Sequence, residues 1–227
     1  MRIGGLQKNS LIDYPGKISA IVFTIGCNFH CPYCHNPELV DETADEISAE
    51  GVLAFLKKRV GLLEAVTITG GEPTVQTDLI PFIKKIKEMG FLVKLDTNGT
   101  NPEIVEQLLH AALVDYIAMD IKSPLDSYSA AVGRPVPIEK VKKSIALMMR
   151  NSVPYEFRTT VVKSLLSPDD IIRIGEVIKG AKTYYLQKFV PTKTLNPAFL
   201  KKTTYTDSEF EDMKNSLSAY VDKCYVR

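Results

Sequence analysis

The stretch KISAIVFTIGCNFHCPYCHNP, residues 17–37, joins an apolar run directly to a group of cysteines. Residues 17–26 are rich in β-branched side chains and predict a buried β-strand. Cys27, Cys31 and Cys34 follow within eight residues, although the whole chain of 227 residues contains only 4 cysteines. A strand that runs into a cluster of thiols predicts a functional site at the carboxyl end of a sheet.

The same alternation of strand and helix continues along the chain. Further strands are predicted at 65–71, 91–99, 116–122, 154–162 and 183–191. Helices are predicted at 47–59, 77–90, 102–113, 138–150, 168–180 and 208–221, with Ser48 capping the first and Asp207 or Ser208 capping the last. Strand-then-helix units of this kind predict an α/β protein with a parallel sheet. Periodicity alone leaves two architectures open, a partial barrel and a doubly wound open sheet.

Composition narrows the class of protein. Hydrophobic residues make up 45% of the chain and the formal net charge is +1, which gives no electrostatic case for nucleic acid or an anionic membrane as a partner. No apolar run approaches the roughly 20 residues that span a bilayer, and the N-terminus lacks the apolar core of a signal peptide. We therefore expect a cytoplasmic protein, in whose reducing surroundings clustered cysteines form a metal or catalytic site rather than disulfides.

Polar residues mark the end of every predicted strand. Because the carboxyl ends of parallel strands meet at one edge of a sheet, these side chains should lie near the cysteines. They are Gly70, Gly71 and Glu72 after the second strand, Asp96 in the third, Asp120 and Lys122 in the fourth, Arg158 in the fifth and Gln187 in the sixth. One charged residue at a strand end is explained equally well by the strand leaving the core, so the prediction depends on their coincidence over six strands.

Three thiolates at this spacing are compatible with two kinds of metal site, because thiolates favour zinc, Cu(I) and iron–sulfur clusters. A structural zinc ion needs four ligands, which the three cysteines together with His30 or His35 could supply. A [4Fe–4S] cluster normally takes four cysteines, so with three of them one iron is left for a small molecule to coordinate. The one remaining cysteine, Cys224, is expected to be structural, and we therefore predict a single cluster.

The spacing Cys27-x3-Cys31-x2-Cys34, with Tyr33 before the third cysteine, resembles the pattern of the radical S-adenosylmethionine (SAM) superfamily. GGEP at 70–73 resembles the GGE motif of that superfamily. Further stretches are similar to its glycyl-radical-enzyme activases, namely LIDYPG at 11–16, DTNG at 96–99, MDIK at 119–122 and FRTTVV at 157–162. The resemblance implies a partial (β/α)6 barrel with the helices outside. It implies one domain over 1–227, with an N-terminal segment at 1–16 in contact with the partner, barrel elements at 17–191 and a C-terminal segment and helix at 192–227.

The resemblance also implies roles for the matching residues. Cys27, Cys31 and Cys34 would hold three irons of the cluster, while SAM would chelate the fourth and be cleaved reductively to a 5′-deoxyadenosyl radical. The residues implied in binding SAM are Tyr33 against adenine, Gly70, Gly71 and Glu72, Asp120 and Lys122, Arg158 against the carboxylate, and Asp96 close to SAM and to a monovalent cation. Asp13 would lie near the glycine loop of the partner. Gln187 stands where some relatives have a histidine, and is expected to substitute for it by hydrogen bonding.

The function implied is that of a radical SAM oxidoreductase that removes a hydrogen atom from a glycine Cα of anaerobic ribonucleotide reductase and leaves a glycyl radical. Activation of pyruvate formate-lyase, a formate C-acetyltransferase, is the second hypothesis. Alternatives from other classes are a small-molecule enzyme such as 7-carboxy-7-deazaguanine synthase and a non-catalytic zinc or electron-transfer protein. The expected partners are a glycyl radical enzyme and a one-electron donor such as flavodoxin or ferredoxin.

Overall fold

The computed structural model describes residues 1–227 and builds them around one 8-stranded sheet. The strands are β1 (Ile3–Tyr14), β2 (Lys17–Thr24), β3 (Ala65–Gly70), β4 (Leu92–Thr97), β5 (Tyr116–Asp120), β6 (Tyr155–Val161), β7 (Tyr184–Lys188) and β8 (Cys224–Val226). Their order in the sheet is their order in the chain. β1 pairs antiparallel with β2, and every later pair is parallel. β1 and β8 are the two edges, so the sheet is not closed.

Helices fill most of the connections between the parallel strands. They are α1 (Pro37–Val40), α2 (Ala49–Lys57), α3 (Leu79–Glu88), α4 (Pro102–His110), α5 (Tyr128–Val132), α6 (Ile138–Arg150), α7 (Pro168–Val177) and α8 (Asp207–Leu217), with 3-10 turns at Pro73–Val75 and Pro197–Lys201. None of the helices combines the length and the apolar character needed to cross a membrane.

Helix caps show where local sequence decides a boundary. Ser48 caps α2 as predicted, because its side chain accepts a hydrogen bond from the backbone N–H of Gly51. The cap predicted at Asp207 or Ser208 is wrong. Thr206 caps α8 instead, and the Glu209 carboxylate accepts a hydrogen bond from the Thr206 backbone N–H to complete a capping box.

The unbroken strand order decides between the two architectures. In a doubly wound sheet the order reverses at a switch point and helices cover both faces. Here each parallel crossover steps to the next strand in the same direction, and right-handed crossovers then put the helices on one face. The prediction of an α/β partial barrel with a parallel sheet and helices outside is confirmed.

The strands turn an apolar face to the helices and a polar face to the barrel interior. Val66 and Val93 belong to the core cluster that also contains the buried residues of the helices. Successive strand residues point to opposite faces. Thr67, Lys94 and Arg158, which alternate with core residues, therefore share the opposite face, which we call the inner face. This face positions the functional groups.

Two strands, β1 and β8, lie outside the segment 17–191 to which the sequence assigns the barrel. Only Ile3, Ser10 and Tyr14 are buried along β1, so its pattern is too polar to predict a buried strand. β8 is three residues long and pairs only with β7.

Candidate active site

The three clustered cysteines line one cavity at the carboxyl ends of the strands. This cavity, which we call the rim cavity, has a volume of ≈ 210 Å³. Of the residues expected to lie together, the cavity is also lined by Tyr33, Gly70, Gly71, Glu72, Asp96, Asp120 and Lys122. The ends of β3, β4 and β5 and the cysteine loop therefore line the same cavity.

The other three predicted site residues lie elsewhere. Asp13, Arg158 and Gln187 line a second cavity of ≈ 270 Å³, the inner cavity, together with Lys94 and others. Arg158 precedes Thr160, a rim-cavity residue on the same face of β6, by two positions, so its side chain starts deeper in the barrel. Asp13 is near the end of β1 that pairs with the start of β2, away from the cysteine loop. The structure does not bring Asp13 or Gln187 to the rim cavity.

A chain of buried ion pairs connects the two cavities. Lys94 Nζ lies 2.6 Å from Asp96 Oδ1, and Arg158 Nη1 lies 3.1 Å from Asp96 Oδ2. Arg158 Nε lies 2.8 Å from Asp120 Oδ1, while Lys122 Nζ lies 3.0 Å from Asp120 Oδ2. Three cations thus alternate with two carboxylates, and all four carboxylate oxygens are engaged. We call this set the charge chain.

The charge chain keeps both of its aspartates ionised. Burial opposes ionisation of Asp96, but Arg158 and Lys94 outweigh it and lower the pKa of that carboxyl. Burial likewise opposes ionisation of Asp120, and Arg158 with Lys122 lowers its pKa further. Burial also disfavours the charged form of Lys122, yet Asp120 raises the pKa of that ammonium well above its ordinary value. Asp96, Asp120 and Lys122 are therefore charged at neutral pH.

Glu72 joins two strand ends through hydrogen bonds from uncharged donors. Its Oε1 accepts from Thr74 N at 3.1 Å, Thr74 Oγ1 at 2.6 Å and Thr97 Oγ1 at 2.7 Å, and its Oε2 accepts from Asn98 N at 2.6 Å. Burial raises the pKa of this carboxyl, although the same hydrogen bonds act to lower it. Glu72 therefore orders the rim by tying the loop after β3 to the end of β4.

The backbone of Thr24 and Gly26 lies so close to Gly70 and Gly71 that neither position has room for a side chain. Gly70 has φ +118, and a Cβ on it would lie 2.3 Å from Thr24 N. A Cβ on Gly71 would lie 2.0 Å from Gly26 O. In place of side chains there are hydrogen bonds, from Gly71 N to Thr24 O at 2.9 Å and from Glu72 N to Gly26 O at 2.9 Å. The glycine turn and the cysteine loop therefore pack backbone against backbone.

Three other parts of the chain hold the cysteine loop. Gly26 N donates to Leu39 O at 2.7 Å, and His30 N donates to Val132 O at 2.9 Å. From the segment after β7, Leu195 N donates to Cys34 O at 3.0 Å and Asn196 N donates to Pro32 O at 2.9 Å. Three segments that follow the loop in sequence thus hold the backbone that carries the three thiols.

The thiols themselves are free and largely desolvated. Burial raises the pKa of Cys27 to about 12 and that of Cys31 to about 11, and it also raises the pKa of Cys34. In the protein alone they are protonated at neutral pH, so a bound metal has to displace three protons. No three or more His, Cys, Asp or Glu side chains lie close enough together to hold a single metal ion. A cluster places each thiolate on a different iron and does not require that convergence.

The aromatic and imidazole groups near the cysteines have distinct surroundings. The hydroxyl of Tyr33 is buried without a hydrogen-bond partner, although its ring lines the rim cavity. His35 Nε2 lies 2.9 Å from Val190 O, and its ring stacks on Phe189. His30 Nε2 lies 3.5 Å from Asp41 Oδ1. The hydroxyl of Tyr33 is therefore a buried polar atom without a hydrogen-bond partner in the chain.

Sequence reasoning missed Lys94, a buried residue of the charge chain. It lies two residues before Asp96 on β4, and residues two apart on a strand share a face. That spacing was the available signal, but a lysine inside an apolar strand is ordinarily assigned to the solvent side, since lysine is almost never fully buried without a partner.

Comparison with known proteins gives one family. Residues 21–184 match the sequence model of the radical SAM superfamily. A protein of Methanocaldococcus jannaschii, whose name assigns it provisionally to the glycyl-radical enzyme activating enzymes, is 36% identical over 99% of this chain and 95% of its own. The pyruvate formate-lyase-activating enzyme of Clostridium pasteurianum is 29% identical over 86% of this chain and 83% of its own.

A solved structure supports the fold. The crystal structure of a domain of pyruvate-formate lyase-activating enzyme from Bacteroides vulgatus superposes with a TM-score of 0.58 and 19% identity, covering 72% of this chain and 99% of that domain. At that identity the similarity establishes the fold alone.

Proposed function

Because the chain belongs to the radical SAM superfamily and, with its 36% identical relative, to the activating enzymes of glycyl-radical enzymes, we propose that it activates an anaerobic ribonucleotide reductase. A [4Fe–4S] cluster and SAM are the cofactors of the superfamily. The observation that carries the proposal is the rim cavity, where three free thiols face the glycine turn and the charge chain. The choice of reductase rests on the overall similarity of the sequence, including its opening GLQKNSLIDYPG.

The residues around the rim cavity fit these cofactors. We assign Cys27, Cys31 and Cys34 to the cluster, since they are the thiols of the cavity and form no disulfide. Tyr33 offers its ring and an unused hydroxyl to SAM, and Lys122 offers a buried ammonium. When bound, the cofactors supply reductive cleavage of SAM and the power to take a hydrogen atom from carbon.

The carboxylates have supporting roles in this assignment. Asp120 holds Lys122, so we expect it to fix the ammonium group that receives SAM, while Asp96 supports Asp120 through Arg158, which pairs with both aspartates. The oxygens of Glu72 are occupied by hydrogen bonds from the chain, so Glu72 acts by shaping the Gly70–Gly71 turn. Phe29 and Val40 line the same cavity and limit the access of water.

The hairpin between β1 and β2 is the proposed contact with the partner. Leu11 and Ile12 are 73% and 86% exposed there, and Asp13 beside them lines the inner cavity. Two exposed aliphatic side chains next to a polar cavity suit a loop of a second protein. Gln187 and Arg158 line the same cavity and are proposed to face that loop.

Electron paramagnetic resonance tests the proposal. The protein is reconstituted anaerobically with iron and sulfide, reduced with a flavodoxin or ferredoxin system, and mixed with SAM and the anaerobic ribonucleotide reductase of its own organism. We expect a glycyl-radical doublet on the reductase. Cys31→Ala should abolish the doublet, whereas Cys224→Ala, which changes the one cysteine outside the loop, should keep it. A fully active Cys31→Ala protein would refute the cluster assignment.

The target is tested by exchanging the partner. A doublet on a pyruvate formate-lyase but not on the reductase would replace the proposed target with the second hypothesis. Formation of 5′-deoxyadenosine without a doublet on either protein would leave the radical chemistry standing and refute both targets. In that case a small molecule becomes the candidate substrate.

A further inference from the structure

Lys94 is a buried cation that neither the cysteine site nor the sequence motifs account for. Its side chain is 4% exposed, and its carboxylate partner Asp96 is 13% exposed. Lysine is rarely buried to this degree, because removing an ammonium group from water is costly without a close counter-charge. Lys94 lines the inner cavity while Asp96 lines the rim cavity, so the pair lies between the two spaces.

The pair is held by the backbone. Lys94 and Asp96 are two residues apart on β4, where side chains two apart share a face, and their Nζ and Oδ1 atoms are 2.6 Å apart. β4 is hydrogen-bonded on both sides, to β3 and to β5. Because β4 lies inside the sheet, its backbone fixes the Lys94 ammonium group beside the Asp96 carboxylate.

Both oxygens of Asp96 already face a positively charged side chain. Oδ1 accepts from Lys94 and Oδ2 accepts from Arg158 at 3.1 Å. The neighbouring Asp120 is paired in the same way with Arg158 and Lys122. A metal cation bound at Asp96 would be repelled by the Lys94 ammonium and the Arg158 guanidinium, and no group of three or more acidic, His or Cys side chains is arranged to hold one.

We propose that Lys94 is a positioning residue. Its ammonium group takes the place of a bound monovalent cation beside Asp96, so that the chain binds SAM without an alkali-metal ion. The proposal rests on the assignment of SAM to the rim cavity. It replaces the monovalent cation expected near Asp96 from the sequence with a side chain of the protein itself.

The test is a measurement of SAM affinity in different salts. Cluster-reconstituted protein is titrated with SAM by anaerobic calorimetry, without reductant, in tetramethylammonium chloride or in potassium chloride at equal ionic strength. The wild-type affinity should differ by less than about twofold between the salts, since its cation is covalently attached. In Lys94→Met, which keeps the length of the side chain, affinity in tetramethylammonium should fall about tenfold or more and be recovered in potassium.

Two further variants separate positioning from folding. Lys94→Arg keeps the charge and should retain salt-independent binding. Lys87→Met removes a different lysine–aspartate pair, in which Lys87 Nζ lies 2.7 Å from Asp115 Oδ2 outside both cavities, and should bind SAM as the wild type does. If Lys94→Met fails to fold, potassium-dependent SAM binding by the wild type or by Lys94→Arg would still overturn the inference.

The outcomes are distinguishable. Wild-type binding that requires potassium would overturn the inference, as would a Lys94→Met protein that binds SAM normally in both salts or weakly in both. A wild-type protein that carries its cluster and binds no SAM in any salt would overturn the assignment of the rim cavity, and this inference with it.

Discussion

At the scale of single residues, the rim depends on positions where a side chain is missing. Gly70 and Gly71 bring the end of β3 against the backbone of Thr24 and Gly26, and the hydrogen bonds between them occupy the space of two methyl groups. The motif therefore has a packing reason that is independent of any ligand. A close approach of two backbones is a use of glycine that no other residue can replace.

Gly71→Ala should be strongly destabilising, because its Cβ would lie 2.0 Å from the carbonyl oxygen of Gly26. We expect a loss of about 2–3 kcal/mol in the free energy of unfolding, measured by urea denaturation. Gly51→Ala is the matched control. Gly51 is in α2 with no atom nearer than 3.8 Å to an added Cβ, so this change should stabilise by about 0.5–1 kcal/mol. Equal effects at both positions would contradict the packing argument.

Lys122→Ala should weaken SAM binding by roughly 10–100-fold, as expected for the loss of a buried charged donor. The iron content should stay unchanged, because Lys122 is paired with Asp120 and is not a cluster ligand. Calorimetry and iron analysis on the same sample check both parts. Lys17→Ala removes the exposed pair with Glu64 and serves as the control. Loss of the cluster in Lys122→Ala would show that its role is different.

At the scale of elements, the hairpin of β1 and β2 presents two aliphatic side chains on a rigid support. Ser10 Oγ accepts hydrogen bonds from Ile12 N at 3.2 Å and Asp13 N at 3.3 Å, which orders the turn locally. The ring of Tyr14 packs on that of Tyr116 with centroids 5.9 Å apart, which anchors the hairpin to β5. Exposure of Leu11 and Ile12 is therefore a property of an ordered element.

The double variant Leu11→Ser, Ile12→Ser should reduce radical formation on the partner by roughly tenfold through weaker docking. Cleavage of SAM in the absence of partner should be unaffected, since neither residue lines the rim cavity. The control is Leu62→Ser, which removes an aliphatic side chain that is 64% exposed elsewhere on the surface. A double variant that activates the partner normally would remove the hairpin from the interface.

Strands and helices with a clear periodic pattern of apolar residues could be predicted from the sequence, whereas β1 and α5 could not. β2 to β7 lie within the predicted apolar strands, and α6 has the predicted bounds Ile138–Arg150. β1 escaped prediction because it is stabilised by pairing along an edge and by a few anchors such as Tyr14, which leave no apolar alternation. α5 lies in the irregular segment 123–137, where five helical residues are too few to give a period. Tertiary contacts, which one sequence does not display, decide these elements.

The candidate site shows the same division. The cysteines and the residues from Gly70 to Glu72 are identified by spacing and by their place after a strand, and the rim cavity contains them. The separation of Arg158 and Gln187 into the inner cavity depends on how far along each strand a residue lies, which a sequence cannot specify when strand ends are uncertain by a few residues.

At the scale of the whole molecule, the charge chain on the inner face makes the free energy of unfolding depend on pH. The folded pKa of Asp120 is below its value in the unfolded chain, because Arg158 and Lys122 outweigh the effect of burial. A carboxyl of this kind stabilises the fold fully above the unfolded pKa of about 4, and its contribution is lost as the pH falls through the folded value.

Asp120→Asn should therefore make the free energy of unfolding depend less strongly on pH in acid solution. We expect the free energy of unfolding of the wild type to fall between pH 6 and pH 3 by about 1 kcal/mol more than that of Asp120→Asn. Urea denaturation at a series of pH values measures the difference. Asp212→Asn, an exposed position on α8, should keep the wild-type slope. A variant at Asp120 with the wild-type slope would mean that the charge chain does not set the acid response.

The hydrogen bonds from Leu195 and Asn196 to the cysteine loop have a consequence for biosynthesis. The backbone groups of Leu195 and Asn196 that hold Pro32 and Cys34 are about 160 residues later in the chain. At a synthesis rate of roughly 5–20 residues per second, the three thiols leave the ribosome on the order of ten seconds before the segment that closes over them. During that interval the nascent polypeptide carries exposed thiols without their final geometry. If the three thiols hold the cluster as proposed, we expect them to receive iron and sulfide after translation has passed β7.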